Sequence, residues 1–60
     1  MEKSVSVFFQ DNQYVVRVVD GEHAGRREFA IQQFAMAWAN GQRIRLNLPE
    51  FIVEPRAAAE

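Results

Sequence analysis

Residues that commonly carry catalysis or bind metals are sparse in this sequence. Histidine occurs once, at His23 in a predicted loop, and cysteine is absent. A zinc site usually takes its ligands from His and Cys, so one imidazole without a thiol does not make one. Ser4 and Ser6 alternate with valine in a predicted strand, where no basic group is placed to activate a hydroxyl. We therefore expect no enzyme activity, no bound metal and no cofactor.

The glycine and carboxylate pattern points the same way. Residues 21–25 contain two glycines but lack the Gly-Lys-Ser/Thr ending of a phosphate-binding loop. Asp20 and Glu22 lie close together in that loop, and Glu50 and Glu54 flank an apolar triplet. Two carboxylates in one loop are common, and Glu50 and Glu54 are expected to be solvated flanks, so residues 21–25 predict a plain turn.

Composition limits the partners and the compartment. A chain of 60 residues buries only about 60% of its unfolded surface, so its stability is expected to be marginal. The net charge of −1 does not favour nucleic-acid binding, which depends on excess Lys and Arg. No apolar run approaches the roughly 20 residues that span a bilayer, and the first residues lead into an alternating pattern rather than a signal peptide. We expect a cytoplasmic domain that does not contact a membrane.

The first half of the chain predicts a β-hairpin. Residues 4–9 alternate polar and apolar, and residues 14–19 are rich in β-branched and aromatic types, so both are predicted strands. Asp11 and Asn12 between them tolerate positive φ and favour a tight turn. The loop after Asp20 is expected to run through Gly25, and residues 26–29 fit either a short strand or the approach to a helix.

The second half changes period and predicts a helix and a strand. Apolar residues recur with helical spacing across residues 30–40, and Asn40-Gly41 is a good helix stop. Residues 43–48 alternate strictly and predict a strand, which Pro49 ends. Residues 51–53 are a candidate edge strand, and residues 56–60 are expected to form a frayed tail.

These elements predict an α+β fold in a single domain, residues 1–60. A small antiparallel sheet is formed by the hairpin and by one or two strands after the helix, and the single helix packs on one face of it. Trp38 has the helical spacing of a core residue rather than of a ligand-stacking one. The expected core consists of Val5, Val7, Phe9, Tyr14, Val16, Val18, Ile31, Phe34, Trp38, Ile44, Leu46 and Leu48.

The second face of the hairpin is the first candidate for recognition. If the alternate valines face the helix, then Phe8, Val15, Arg17 and Val19 must face away from it. Three apolar residues around an arginine have the composition of a binding hot spot, and a small monomer does not normally leave such a patch wet. The alternatives are cover by Ile52 or by a second copy of the chain.

A second candidate surface lies on the predicted last strand. Arg43, Arg45 and Asn47 share one face of residues 43–48 if that segment is extended. Guanidinium groups in this arrangement bind phosphates or carboxylates, although a solvated strand face has the same pattern.

A family resemblance extends over residues 4–41. The matching segments, in chain order, are residues 4–8, 16–18, 20–22, 24–26, 28–29 and 38–41. This series resembles small phage-encoded anti-CRISPR proteins that inhibit type I surveillance complexes. The resemblance implies a non-catalytic inhibitor, in the cytoplasm of a bacterial host, that binds a CRISPR effector complex and stops target DNA from pairing or being cut.

The chain departs from the similar inhibitor at the positions that bind its partner. Phe8 stands where that protein has a tyrosine, and Val19 stands where it has an acidic residue. The predicted strand at residues 43–48 also replaces further helix. The same hairpin face is therefore implied as the binding surface, with different contacts.

Two other functions remain open from the sequence. A hairpin followed by a helix also looks like the arm-site-binding domain of tyrosine integrases, which is a DNA-binding module with a third strand and a basic surface. A small phage regulator that forms a homodimer through its exposed hairpin face is the other.

Overall fold

The computed structural model describes residues 2–54, which form four strands and one helix. In chain order these are β1 (Lys3–Gln10), β2 (Gln13–Asp20), β3 (His23–Phe29), α1 (Gln32–Arg45) and β4 (Ile52–Val53). The strands make one sheet in the order β3-β2-β1-β4, and α1 packs on one face of it. The predicted α+β class is confirmed, although the sheet is mixed because β4 runs parallel to β1.

The β1–β2 hairpin forms where the sequence predicts it. The two strands are antiparallel along their whole length, from Lys3 opposite Asp20 to Gln10 opposite Gln13. Asp11 and Asn12 form the two-residue turn with φ of 55° and 64°. Turns with positive φ at both central residues match the twist of the flanking strands, and Asp and Asn tolerate that conformation better than other non-glycine residues.

A third strand precedes the helix. It includes residues 26–29, for which the sequence leaves a short strand open, and residues 23–25, where the sequence predicts a loop. Gly21, with φ of 64°, and Glu22 form a second tight turn, and β3 then pairs antiparallel with β2 from His23 to Phe29. Nearly all side chains of β3 are exposed. Its strand state is therefore determined by hydrogen bonding to the edge of β2 rather than by burial, which is why the hydrophobic pattern does not reveal it.

The predicted end of the helix and the predicted strand at 43–48 are both wrong. Helix α1 continues through Gly41 to Arg45. It ends in a Schellman motif, in which Leu48 N–H bonds the Arg43 carbonyl at 2.9 Å and Asn47 N–H bonds the Ile44 carbonyl at 3.0 Å. Asn47 takes the left-handed conformation, φ 61°, that this motif requires.

The chain then returns to the sheet through a short edge strand. The candidate strand at residues 51–53 is observed as β4, in which Ile52 and Val53 pair parallel with Ser6 and Val7 of β1. The Glu54 N–H also bonds the Val7 carbonyl at 2.8 Å. The predicted tail at residues 56–60 lies outside the described residues.

The core lies between α1 and the helix-facing side of the sheet. Its buried members are Val5, Val7, Val16, Val18, Ala35, Ala39 and Leu46, and the partly buried residues around them are Tyr14, Phe29, Met36, Trp38, Leu48 and Phe51. Of the residues predicted to be core, Phe9, Ile31, Phe34 and Ile44 are instead exposed. The helix turns Ala35 and Ala39 toward the valines, since small side chains let it approach the sheet closely.

Within residues 2–54, no helix has both the length and the apolar character needed to cross a membrane.

Candidate functional site

The side of the sheet opposite α1 carries no second layer within residues 2–54. We call it the open face. Because side chains alternate along a strand and cross-strand partners share a face, its membership follows from the register. On the three antiparallel strands and β4 it consists of Ser4, Ser6, Phe8, Gln10, Gln13, Val15, Arg17, Val19, Ala24, Arg26, Glu28 and Ile52.

The open face has four transverse rows. Gln10 and Gln13 form the row at the first turn, and in the next row Phe8 and Glu28 flank Val15 on the two neighbouring strands. The row after that, which we call the middle row, crosses all four strands and contains Ile52, Ser6, Arg17 and Arg26. The last row places Val19 between Ser4 and Ala24. Arginine therefore occupies the centre of the face, with apolar residues on both sides of it along β2.

The four residues predicted to bind a partner share this face but differ in exposure. Arg17 is exposed, while Phe8 and Val19 are half-buried. Val15 is only 1% exposed and lies between Phe8 of β1 and Glu28 of β3 in the register. Val15 thus contributes almost no accessible surface, and the accessible part of this group consists of Phe8, Arg17 and Val19.

Exposed Ile52 adds to the open face without covering Phe8 completely. Ile52 lies on β4 and pairs with Ser6 of β1, and more than half of Ile52 is accessible to solvent. Intrachain cover by Ile52, the alternative raised by the sequence, is therefore incomplete within the described residues.

The predicted polar surface of Arg43, Arg45 and Asn47 does not form. Arg43 and Arg45 lie in α1, where residues two apart point to different sides of the helix, and Asn47 lies in the turn that follows. Their guanidinium groups have local roles. Arg43 bonds the Asn40 side chain and the Leu48 carbonyl, and Arg45 makes two bonds to the Gln42 side chain.

An apolar surface that sequence reasoning missed lies on the outer side of α1. Phe34 is 57% exposed and Ile44 is 60% exposed, with Ile31 also largely accessible. Between Phe34 and Ile44 lie exposed Ala37 and Gly41, at spacings of three, four and three residues. The helical spacing of these residues is visible in the sequence, but it predicts that Ile31 and Phe34 are buried together with Trp38, whereas both are exposed.

The acidic residues near His23 come together at one end of the sheet. A groove there is lined by Glu2, Asp20, Gly21, Glu22 and His23. Among residues 2–54, no group of three or more His, Cys, Asp or Glu side chains has the geometry to hold a metal ion. Gly21 and Glu22 of this groove form the turn between β2 and β3.

No family model, no curated protein and no solved structure matches this chain.

Proposed function

We propose that this chain is a binding module that docks on a protein through the open face of its sheet. Exposed Arg17 stands at the centre of a face that has half-buried Phe8 and Val19 on it and no second layer within the described residues. This single observation carries the proposal. An aromatic anchor beside an arginine, with apolar residues around them, is the composition of a protein-binding hot spot.

The proposed partner is a type I CRISPR effector complex, as the family resemblance implies. The sequence predicts a strand at residues 43–48, where the similar inhibitors have further helix. Helix α1 instead continues to Arg45, so this difference from those inhibitors does not support an argument against the resemblance. Within residues 2–54, the hairpin face that the resemblance implies as the binding surface carries no second layer. Binding there would act by occupying effector surface that the target DNA needs, and so would inhibit without catalysis.

A purified type I effector complex and the immobilised chain test the proposal directly. We expect Phe8→Ala and Arg17→Ala each to weaken binding by more than about 1 kcal/mol, which is roughly fivefold in Kd. Both side chains are partly or wholly accessible, so the fold should survive, as checked by circular dichroism and thermal melting.

The chain offers a matched control for each change. Phe34→Ala removes an exposed ring from the outer side of α1, and Arg45→Ala removes an exposed guanidinium from the end of the same helix. Neither should change the affinity. If Phe34→Ala weakens binding and Phe8→Ala does not, the docking surface is the helix and the open-face assignment fails. If the effector complex does not bind at all, the anti-CRISPR assignment fails.

A DNA-binding module is the second candidate, and the third strand favours it. Strand β3 gives the chain the three-stranded antiparallel sheet followed by a helix that resembles the integrase arm-binding domains. The charge distribution is less suitable, since the open face carries two arginines and one glutamate. Retention on DNA that falls steeply with salt would support this candidate, because each phosphate contact adds to the salt dependence.

A further inference from the structure

Two arginines face each other across the middle row of the open face. Arg17 on β2 is the direct cross-strand partner of Arg26 on β3. The Cβ atoms of such a pair are about 4.5–5.5 Å apart, and like charges in this position destabilise a sheet. Repulsion between Arg17 and Arg26 at the centre of the open face is therefore expected to lower the stability of the free chain.

The surrounding groups neutralise only one member of the pair. Arg26 donates a hydrogen bond from Nη2 to Glu28 Oε2 at 2.9 Å, and both side chains are about half exposed. Within residues 2–54, Arg17 has no ion pair and no side-chain hydrogen bond. A guanidinium has five N–H donors, so most donors of both arginines remain available to a ligand.

The position of Glu28 keeps it away from Arg17. In the register Glu28 lies opposite Val15, one row from the pair, while the other neighbour of Arg17 is the neutral hydroxyl of Ser6. The row is therefore positively charged and can receive one negatively charged group. A planar carboxylate fits the fork of a guanidinium and makes two parallel hydrogen bonds with it.

The apolar residues around Arg17 favour a protein as the source of that group. Val15 and Val19 precede and follow it on the same face of β2. Phe8 lies on the neighbouring strand β1, and Ile52 lies on β4, the strand beyond β1. A partner that covers these residues excludes water, which strengthens a charge-assisted hydrogen bond. A nucleic-acid backbone would require a longer basic track, because its affinity comes from many phosphate contacts.

We infer that Arg17 and Arg26 form a carboxylate-binding site, and that the protein docked on the open face presents an Asp or Glu side chain to it. The inference rests on the proposed function, and it adds the chemistry of the partner and the role of Arg26.

A Leu-Glu-Glu-Leu peptide, acetylated at its N-terminus and amidated at its C-terminus so that only the glutamates carry carboxylates, serves as the probe. The arginine Nε–Hε resonances of the full chain are followed by NMR. We expect the resonances of Arg17 and Arg26 to shift saturably with this peptide and not with its Leu-Gln-Gln-Leu counterpart. Arg17→Gln and Arg26→Gln should each weaken the interaction at least fivefold, whereas Arg45→Gln should leave it unchanged.

Other outcomes of the titration overturn the inference. Unmoved Arg17 and Arg26 resonances would exclude an anion site there. Tighter binding of a short DNA duplex than of the peptide to the same resonances would exclude a carboxylate as the intended ligand. Loss of effector binding in Phe8→Ala together with no peptide binding would keep the docking function and refute only the carboxylate site.

A second measurement tests the repulsion in the free chain. Arg17→Gln should raise the melting temperature at low ionic strength, and the increase should shrink as salt screens the pair. An unchanged or lower melting temperature in the variant would contradict the like-charge pair on which the site depends. This readout needs no ligand, so it is independent of the docking experiment.

Discussion

Replacing Ile44 and Leu46 separately by alanine distinguishes the observed helix end from the strand that residues 43–48 predict. The two side chains have the same size, and both would point into the core if the segment were extended. In the structure Leu46 is 5% exposed and belongs to the core, whereas Ile44 is 60% exposed on the outer side of α1.

The expected costs differ several-fold. Truncation of a buried leucine to alanine typically costs about 2–5 kcal/mol. A domain of this size has about 3–9 kcal/mol of total stability at the usual value per residue. Leu46→Ala should therefore remove a large part of it and lower the melting temperature by at least about 8–16 °C, at roughly 4–8 °C per kcal/mol. Ile44→Ala should cost less than about 1 kcal/mol, because little burial is lost and alanine has the higher helix propensity.

Urea unfolding followed by Trp38 fluorescence and by circular dichroism measures both values. Trp38 is a suitable reporter because it is partly buried beside Phe29, with ring centroids 5.9 Å apart. Leu46→Met nearly conserves the side-chain volume and should lower the free energy of unfolding by less than about 1.5 kcal/mol. It provides a folded variant at the same position if Leu46→Ala unfolds completely. Equal losses in Ile44→Ala and Leu46→Ala would refute the helical placement of this segment.

Two further predictions concern backbone conformation, and two concern binding. Gly41→Ala should raise the free energy of unfolding by about 0.5–1 kcal/mol in the same urea assay. Gly41 lies inside a helix, and a Cβ added there would meet nothing within 4 Å. A loss of stability would contradict this open environment. Asn47→Gly should leave the free energy of unfolding unchanged or raise it. Asn47→Val should lower it by about 1–2 kcal/mol, because a β-branched residue disfavours φ of 61°. Equal effects of the two variants would argue against the Schellman motif. Phe8→Ala should weaken effector binding at least fivefold by affinity measurement while Phe34→Ala does not. Arg17→Gln should raise the peptide concentration that half-saturates the shift at Arg26 at least fivefold in the NMR titration.

The hairpin is the part of the fold that could be predicted because local interactions determine it. β-branched and aromatic residues at alternate positions favour extended strands, and Asp11 and Asn12 accept the positive φ of a two-residue turn. The open face follows directly, because a turn of fixed length sets the register and the register sets the partners of Phe8 and Arg17.

Strand β3 could be predicted only in part: the sequence leaves a short strand open at residues 26–29, but it indicates neither the strand at residues 23–25 nor the pairing with β2. Residues 23–29 include a glycine and three charged residues, and nearly all of their side chains stay in water. Their extended conformation depends on the hydrogen-bonding edge that β2 offers, which is a property of the folded hairpin. The facing of Arg17 and Arg26 was hidden for this reason, since it exists only when β3 pairs with β2 in this register.

The sequence alone therefore determined the α+β class, the first hairpin and the face on which Phe8, Arg17 and Val19 lie. Tertiary structure decided which side of the helix is buried. Phe34 and Ile44 on one side, and Ala35 and Ala39 on another, recur with spacings that fit a helix, so periodicity cannot choose between them. Close packing against the sheet selects the small alanines, places Leu46 beneath the helix end and leaves Phe34 in solvent.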